Sequence, residues 1–302
     1  RGIAACVAAG GPHEVRLYVR RPEAAKEAVE KAAALVDFLA ENGVASGSRG
    51  RITATSSLAE ALEGAEFVFE SVAEDLEAKK AVFAEIERLA GAAAVLCTNT
   101  SSLSVSAIAA GCTPAGARRV IAAHFIGPAH LVPLVELCPS QQAAEAAAAA
   151  GGGGPVERAY AFLTSVNKKP VVLKKEIDGF IAARLQAALY RECLHICASG
   201  AADPEAIDQA VYNGFGRRLN QIGPFLQADF AGVDLVQKTH AAFFPQLGAY
   251  QRDLRADELV PQGRLGVKVL KGHYDWTEAK VAEVAARRDN ELLRRLKADA
   301  KL

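Results

Sequence analysis

AHFIGPAHLVPLVEL, residues 123 to 137, is the stretch whose reading decides this chain. It opens at the end of an apolar β-type run, Val120-Ile121-Ala122-Ala123, which would deliver His124 to the edge of a sheet. Glu136 falls inside a second run of strand length and β-branched character, Leu131 to Leu137. A carboxylate in such a run is costly to bury unless something pairs with it. The imidazole of His124 is the nearest partner if the two strands lie side by side. A histidine held in this way has a fixed tautomer and raised basicity, which suits a general base. Without the pairing, the same residues read as a strand-end histidine and an unrelated surface glutamate.

On either side, strand-like and helix-like segments alternate. Upstream, Gly2 to Ala9 reads as a small-residue helix ended by Gly10 and Gly11, and His13 to Val19 as a strand. Pro22 to Asn42 has helical spacing, with Gly43 just past its end. Ile52 to Thr55 and Glu66 to Val72 read as strands; Ser57 to Leu62 and Lys79 to Leu89 read as helices. Ala93 to Thr98 is a buried-type strand that delivers Asn99-Thr100-Ser101-Ser102, and Ser102 or Ser104 can cap a short helix through Ile108. Downstream, QQAAEAAAAAGGGGP (141 to 155) is low-complexity; its alanines can extend a helix and its four glycines cannot. A helix from Val156 to Val166 and a strand from Lys168 to Leu173 come next, then a hinge at Glu176 to Gly179.

Past Asp178 the pattern is helical without strands: Phe180 to Ala198, Pro204 to Tyr212 behind an Asp203 cap, Asp229 to Phe244, and a charged helix from Thr277 to Leu302. The expected fold class is therefore α/β over residues 1–177, followed by an all-α domain over 178–302.

The 302 residues suffice for two domains, and 35 basic against 35 acidic residues give no hint of nucleic acid or an anionic membrane as partner. The six cysteines form no CxxC pair, which suits free thiols in a reducing compartment. No apolar run approaches the roughly 18 residues that cross a bilayer, and no signal peptide opens the chain. A soluble, cytoplasmic protein is expected, with organellar import left open because residue 1 is Arg and the sequence contains no Met.

HFIGPAHLVPLVEL resembles the His–Phe–x–Asn–Pro–Pro…Val–Glu segment of the 3-hydroxyacyl-CoA dehydrogenases, a family that includes the lambda-crystallin and gulonate dehydrogenase group. The likeness runs from Arg1 to about Leu302. It implies a Rossmann-type NAD-binding domain, a helical domain that dimerises, and an active site in the cleft between them. In this reading His124 is the catalytic base, Glu136 orients it, and Ser101, in the NTSS string, holds the substrate oxygen. Glu74 and Lys79 fall on the family's Val–Glu–Asn–Leu–x–x–Lys segment, with Asn99, among the residues that meet the cofactor. Gly127 and Ala183 stand where the family has substrate-binding asparagines, which implies reduced activity on 3-hydroxyacyl-CoA.

A strand and a G-x-G-x-x-G loop would precede the first helix of a dinucleotide-binding unit. Gly2-Ile3-Ala4 resembles the residues just after the last glycine of that loop, so the chain is expected to start one residue past it, leaving Gly2 as the cofactor-proximal residue. In the usual 3-2-1-4-5-6 order the absent strand is central, and a gap in the sheet is expected there. At the end of the second family strand an acid usually binds the adenosine ribose; this chain has Val19, Arg20 and Arg21. Two guanidinium groups suit a ribose 2′-phosphate, and they also read as solvated surface charges, so NAD and NADP both remain open. The implied reaction is reversible oxidation of a 3-hydroxyacyl-CoA, within fatty acid metabolism, or of a small 3-hydroxy acid. The alternative is a catalytically impaired member kept for a structural or cofactor-binding role.

Overall fold

The computed structural model describes residues 1–299, with seven strands and fourteen α-helices among them. The chain divides into two compact units, Arg1–Ala182 together with the stretch from Ala286 to the end of the described residues, and Ala183–Ala285.

The first unit opens with α1 (Gly2–Gly10), β1 (Glu14–Tyr18), α2 (Ala24–Glu41) and β2 (Arg51–Thr55). It continues with α3 (Leu58–Leu62), β3 (Phe67–Glu70), α4 (Leu76–Leu89), β4 (Val95–Thr98), α5 (Val105–Ala109), α6 (Pro114–Ala117) and β5 (Val120–Phe125). Then come β6 (Leu134–Pro139), α7 (Gln141–Ala150), α8 (Pro155–Ser165) and β7 (Lys169–Val172). The helix starts carry their own chemistry. Ser57, Asp75, Ser104, Thr113 and Ser140 each accept an amide of the first turn with the side chain, satisfying donors that helix geometry leaves unpaired. The alanine tract forms α7 and stops at Gly151, whose φ of 76° is left-handed and suits glycine.

The strands form two sheets. β1 and β2 pair in parallel, and β3-β4-β5-β6-β7 form a separate five-stranded sheet. The break lies between β1 and β3, where the sequence reading expects a gap, and it leaves one edge of each strand without a sheet partner. Within the larger sheet only β5 and β6 run antiparallel.

Alternation along the strands sorts the core onto two faces. Val95, Cys97, Ile121, Ala123, Phe125, Val135 and Leu137 pack on one face with Ala143 of α7 and with Ala159 and Leu163 of α8. Leu96, Val120, Ala122 and Cys138 pack on the other with Phe83, Ile86, Val105, Ile108 and Phe180. By the same parity His124 and Glu136 share the second face. A third cluster joins Ala5, Ala8, Val36 and Leu39 to Leu131 and to Leu293 of the final helix.

The second unit is helical: α9 (Ala182–Ala198), α10 (Pro204–Asn213), α11 (Pro224–Ala231), α12 (Val233–Phe243), α13 (Leu254–Leu259) and the first part of α14 (Glu278–Asp299). The single helix expected over Asp229 to Phe244 is broken by Gly232, at φ 92°, into α11 and α12. Thr277 caps α14, accepting the Lys280 amide. The latter part of α14 packs in the first unit through Leu292, Leu293 and Leu296, although its sequence reads as a continuation of the helical region. The expected end of that helix, Leu302, lies outside the described residues.

Candidate active site

β5 and β6 place His124 and Glu136 directly opposite each other in the antiparallel register. Side chains at such a pair lie on one face within reach of one another. The result is a hydrogen bond of 2.8 Å between His124 Nδ1 and Glu136 Oε2, with Glu136 only 1% exposed and His124 7%. Nε2 of His124 makes no hydrogen bond among the described residues, so it is the ring nitrogen left to meet a substrate.

The other oxygen of Glu136 is also taken. The backbone amides of Ile181 and Ala182 both donate to Oε1 at 2.8 Å, where α9 begins. They reach it because Gly179 and Phe180 both adopt positive φ, 76° and 47°, and turn the chain toward β6. The ring of Phe180 then lies 5.5 Å from the His124 ring and closes one side of it. Three donors therefore satisfy both oxygens of a nearly inaccessible carboxylate, which offsets the cost of burying it.

At the end of β4, Ser101 is exposed and its hydroxyl makes no hydrogen bond among the described residues, while its amide donates to Glu74 Oε1 at 2.9 Å. The same oxygen accepts from Thr100 Oγ1, from the Ser102 amide and from Ser102 Oγ, so Glu74 ties down the loop that carries Ser101. Partial burial pushes the Glu74 carboxyl up, and these donors outweigh it, bringing its pKa down to about 2.

Lys79, read from sequence as a cofactor contact, is 1% exposed and enclosed. Its Nζ sits 2.9 and 3.1 Å from the two oxygens of Glu70 and 3.4 Å from Glu74 Oε2. Glu70 also accepts from Thr98 Oγ1 and the Val72 amide. An ammonium so engaged has no donor facing open space, and its ion pairs hold Glu70 and Glu74 in place. Asn99 is likewise occupied: its Oδ1 accepts the Phe125 amide at 2.8 Å and fastens the end of β5 next to His124.

Gly127 has open space where a Cβ would stand, with no atom within 4 Å. Ala183 follows the amides on Glu136 as the first residue of the second unit. The sequence reading missed Glu70 and Phe180. Glu70 carries a signal of the same kind as Glu136, a carboxylate ending a buried-type strand. The left-handed backbone that seats Phe180 beside His124 is invisible in composition.

For the dinucleotide, the first turn of α1 from Gly2 has no side-chain cap, and its first amides lack intrahelical partners, an arrangement that suits a phosphate. At the end of β1 a cleft of about 440 Å³ is lined by Val19, Arg20, Arg21 and Ala24. Both features lie where a nucleotide-binding α/β unit holds its cofactor, and both fit it.

A nucleotide-binding sheet that presents an imidazole backed by a buried carboxylate suits a nicotinamide-dependent alcohol oxidoreductase. Residues 1–177 match the NAD-binding domain of 3-hydroxyacyl-CoA dehydrogenase, and residues 179–276 match its C-terminal domain. The chain belongs to the 3-hydroxyacyl-CoA dehydrogenase family, and its activity is NAD-dependent oxidation of a hydroxyacyl or hydroxy-acid substrate. It is 32% identical over 293 residues to an L-carnitine dehydrogenase of Streptomyces griseus, covering 96% of this chain and 84% of that protein. A lambda-crystallin homolog of Rattus norvegicus is 33% identical over 222 residues, 72% of this chain and 66% of its own length. Among solved structures, an NAD⁺-dependent 5-formyl-3-hydroxy-2-methylpyridine 4-carboxylic acid 5-dehydrogenase superposes with a TM-score of 0.86 at 26% identity, covering 98% of this chain and 94% of that one. No helix among the described residues is long and apolar enough to cross a membrane.

Proposed function

We propose that His124 takes the proton from the C3 hydroxyl of a small 3-hydroxy acid of the carnitine kind, with residues 1–177 as the dinucleotide domain and 178–302 as the helical domain. The observation that carries this is the 2.8 Å hydrogen bond between Glu136 Oε2 and His124 Nδ1, which leaves Nε2 as the accepting nitrogen. The bound dinucleotide supplies the two-electron oxidant that turns the alcohol into a ketone. Ser101 donates its hydroxyl to the substrate oxygen as that oxygen loses its proton. Glu136 holds the imidazole in the productive tautomer and stabilises the imidazolium that forms. Glu74 and Asn99 act on the reaction by fixing the strand ends that carry Ser101 and His124.

The choice of a small acid draws on relatives named L-carnitine dehydrogenase, at 31% identity over 82% of this chain in Oceanobacillus iheyensis and 32% over 96% in Streptomyces griseus. The glycine and alanine at 127 and 183 agree with it, since neither side chain can donate to a thioester. A 3-hydroxyacyl-CoA, and with it a place in fatty acid metabolism, is the second reading; it draws on a solved 3-hydroxybutyryl-CoA dehydrogenase of Escherichia coli that is 31% identical and covers 91% of this chain. Initial rates with L-carnitine, 3-hydroxybutyrate and 3-hydroxybutyryl-CoA separate the two. Faster turnover of the thioester by about tenfold or more would overturn the first.

The protein works as a homodimer in the cytoplasm in this reading. The second unit leaves Phe225 88% and Phe230 83% exposed, and α9 buries none of its residues. Apolar surface on that scale marks an association face. Sedimentation showing a monomer at micromolar concentration would contradict it.

A further inference from the structure

Arg20 and Arg21 lie in the cleft at the carboxyl end of β1 and are not consumed by the fold. Arg20 is exposed and has no hydrogen-bond or ion-pair partner among the described residues. Arg21 has one contact, 3.8 Å to Glu23, with both side chains at least 70% exposed. An exposed pair at that distance contributes little and yields easily to a better acceptor. The other acids around this strand end are engaged elsewhere: Glu27 pairs with Lys31, and Glu60 accepts from Thr55 Oγ1.

In a nucleotide-binding α/β unit this strand end meets the adenosine ribose. An acid here accepts the two hydroxyls of an unphosphorylated ribose, and arginine here accommodates a 2′-phosphate. No carboxylate lines the cleft; the residue at the strand end is Val19, whose amide is bound to the Thr55 carbonyl and whose side chain cannot accept a hydrogen bond. A bare ribose would therefore meet two cations and no side-chain acceptor. A 2′-phosphate brings about −1.5 to −2 charges and three acceptor oxygens, which matches a pair of guanidinium forks.

We propose that the end of β1 is a 2′-phosphate site built from Arg20 and Arg21, so that beside its NAD-dependent activity the protein also takes NADP(H) and binds it more tightly than NAD(H). The proposal rests on the dinucleotide reading of the first unit and adds the identity of the preferred cofactor. Its specificity determinants are the two arginines and the absence of an acid at Val19.

Binding, without turnover, tests it. Nicotinamide fluorescence titrations of the protein with NADPH and NADH, and calorimetry with adenosine 2′,5′-bisphosphate and 5′-AMP, read the 2′-phosphate contribution alone. The expected result is NADPH tighter than NADH by about tenfold or more, and the bisphosphate tighter than 5′-AMP by a similar factor. Arg20→Ala and Arg21→Ala should each weaken NADPH by about tenfold with NADH nearly unchanged, and Val19→Asp should reverse the preference. Both arginines are exposed, so these variants keep the fold. NADH binding as tightly as NADPH or tighter in the parent would overturn the proposal and leave the dehydrogenase reading standing. Equal losses for both dinucleotides in the arginine variants would also overturn it. If neither dinucleotide binds, the proposal falls together with the cofactor reading on which it rests.

Discussion

Replacing Glu136 by glutamine keeps the side chain's shape and removes its ability to accept hydrogen bonds at both ends. In the parent, Oε1 accepts the amides of Ile181 and Ala182, each at 2.8 Å, and Oε2 accepts His124 Nδ1–H at 2.8 Å. The glutamine must turn its oxygen to the two backbone amides, because an NH₂ facing them would set donor against donor at a site only 1% exposed. Each buried donor left unsatisfied costs about 1–3 kcal/mol, so that orientation wins clearly. The NH₂ then points at His124 Nδ1, which has to become an acceptor, and the ring proton moves to Nε2. A protonated Nε2 cannot take a proton from an alcohol. In Ser–His–Asp triads the equivalent carboxylate-to-amide change costs about 10⁴ in kcat. We predict a fall in kcat of about 10³–10⁴ and, because all three hydrogen bonds have counterparts in the variant, a stability change within about 2 kcal/mol. Steady-state rates give the first number, urea unfolding gives the second, and ¹⁵N-correlated NMR of the imidazole reports the tautomer. A variant that keeps kcat within about tenfold of the parent, with the proton still on Nδ1, would refute the reasoning.

The same geometry sets three other outcomes. Lys79→Ala leaves Glu70 as an uncompensated charge with its side chain 1% exposed and should destabilise the fold by about 3–5 kcal/mol; a loss below about 1 kcal/mol in urea unfolding would count against a buried ion pair. Glu74 has its pKa lowered from 4.5 to about 2, so its contribution is full above about pH 4.5 and is lost as pH falls toward 2; the stability difference between parent and Glu74→Gln should narrow across that window, and a constant difference would contradict it. Gly127→Asn with Ala183→Asn should raise kcat toward 3-hydroxybutyryl-CoA about tenfold or more, since a Cβ at 127 meets open space; an unchanged kcat would favour a pocket shaped for small acids.

Periodicity and residue type made part of this structure legible in advance. The β-branched runs around His124 and Glu136 announced two strands, and a carboxylate inside such a run announced a partner, which the antiparallel register then supplied. The NTSS string pointed to a strand end leading into a capped helix, and Ser104 is the cap. The expected gap in the sheet appears as the break between β1 and β3. The residues that escaped the reading depend on tertiary placement. A lysine in the first turn of an amphipathic helix looks like surface charge, and only the arrival of Glu70 from β3 makes Lys79 a buried ion. The two amides on Glu136 depend on the left-handed turn at Gly179 and Phe180. The end of α14 reads as a solvated charged helix, and the leucines that seat it in the first unit have no sequence-local partner.

The most direct measurement is the rate of reduced nicotinamide formation by the parent and by His124→Gln, with L-carnitine, 3-hydroxybutyrate and 3-hydroxybutyryl-CoA as substrates and dinucleotide affinity measured in parallel. The parent should oxidise at least one of the three, and the variant should lose about 10²–10⁴ in kcat while binding dinucleotide as the parent does. A parent that binds dinucleotide yet oxidises none of them, or a His124→Gln variant as fast as the parent, would contradict His124 as the proton acceptor of a hydroxy-acid dehydrogenase.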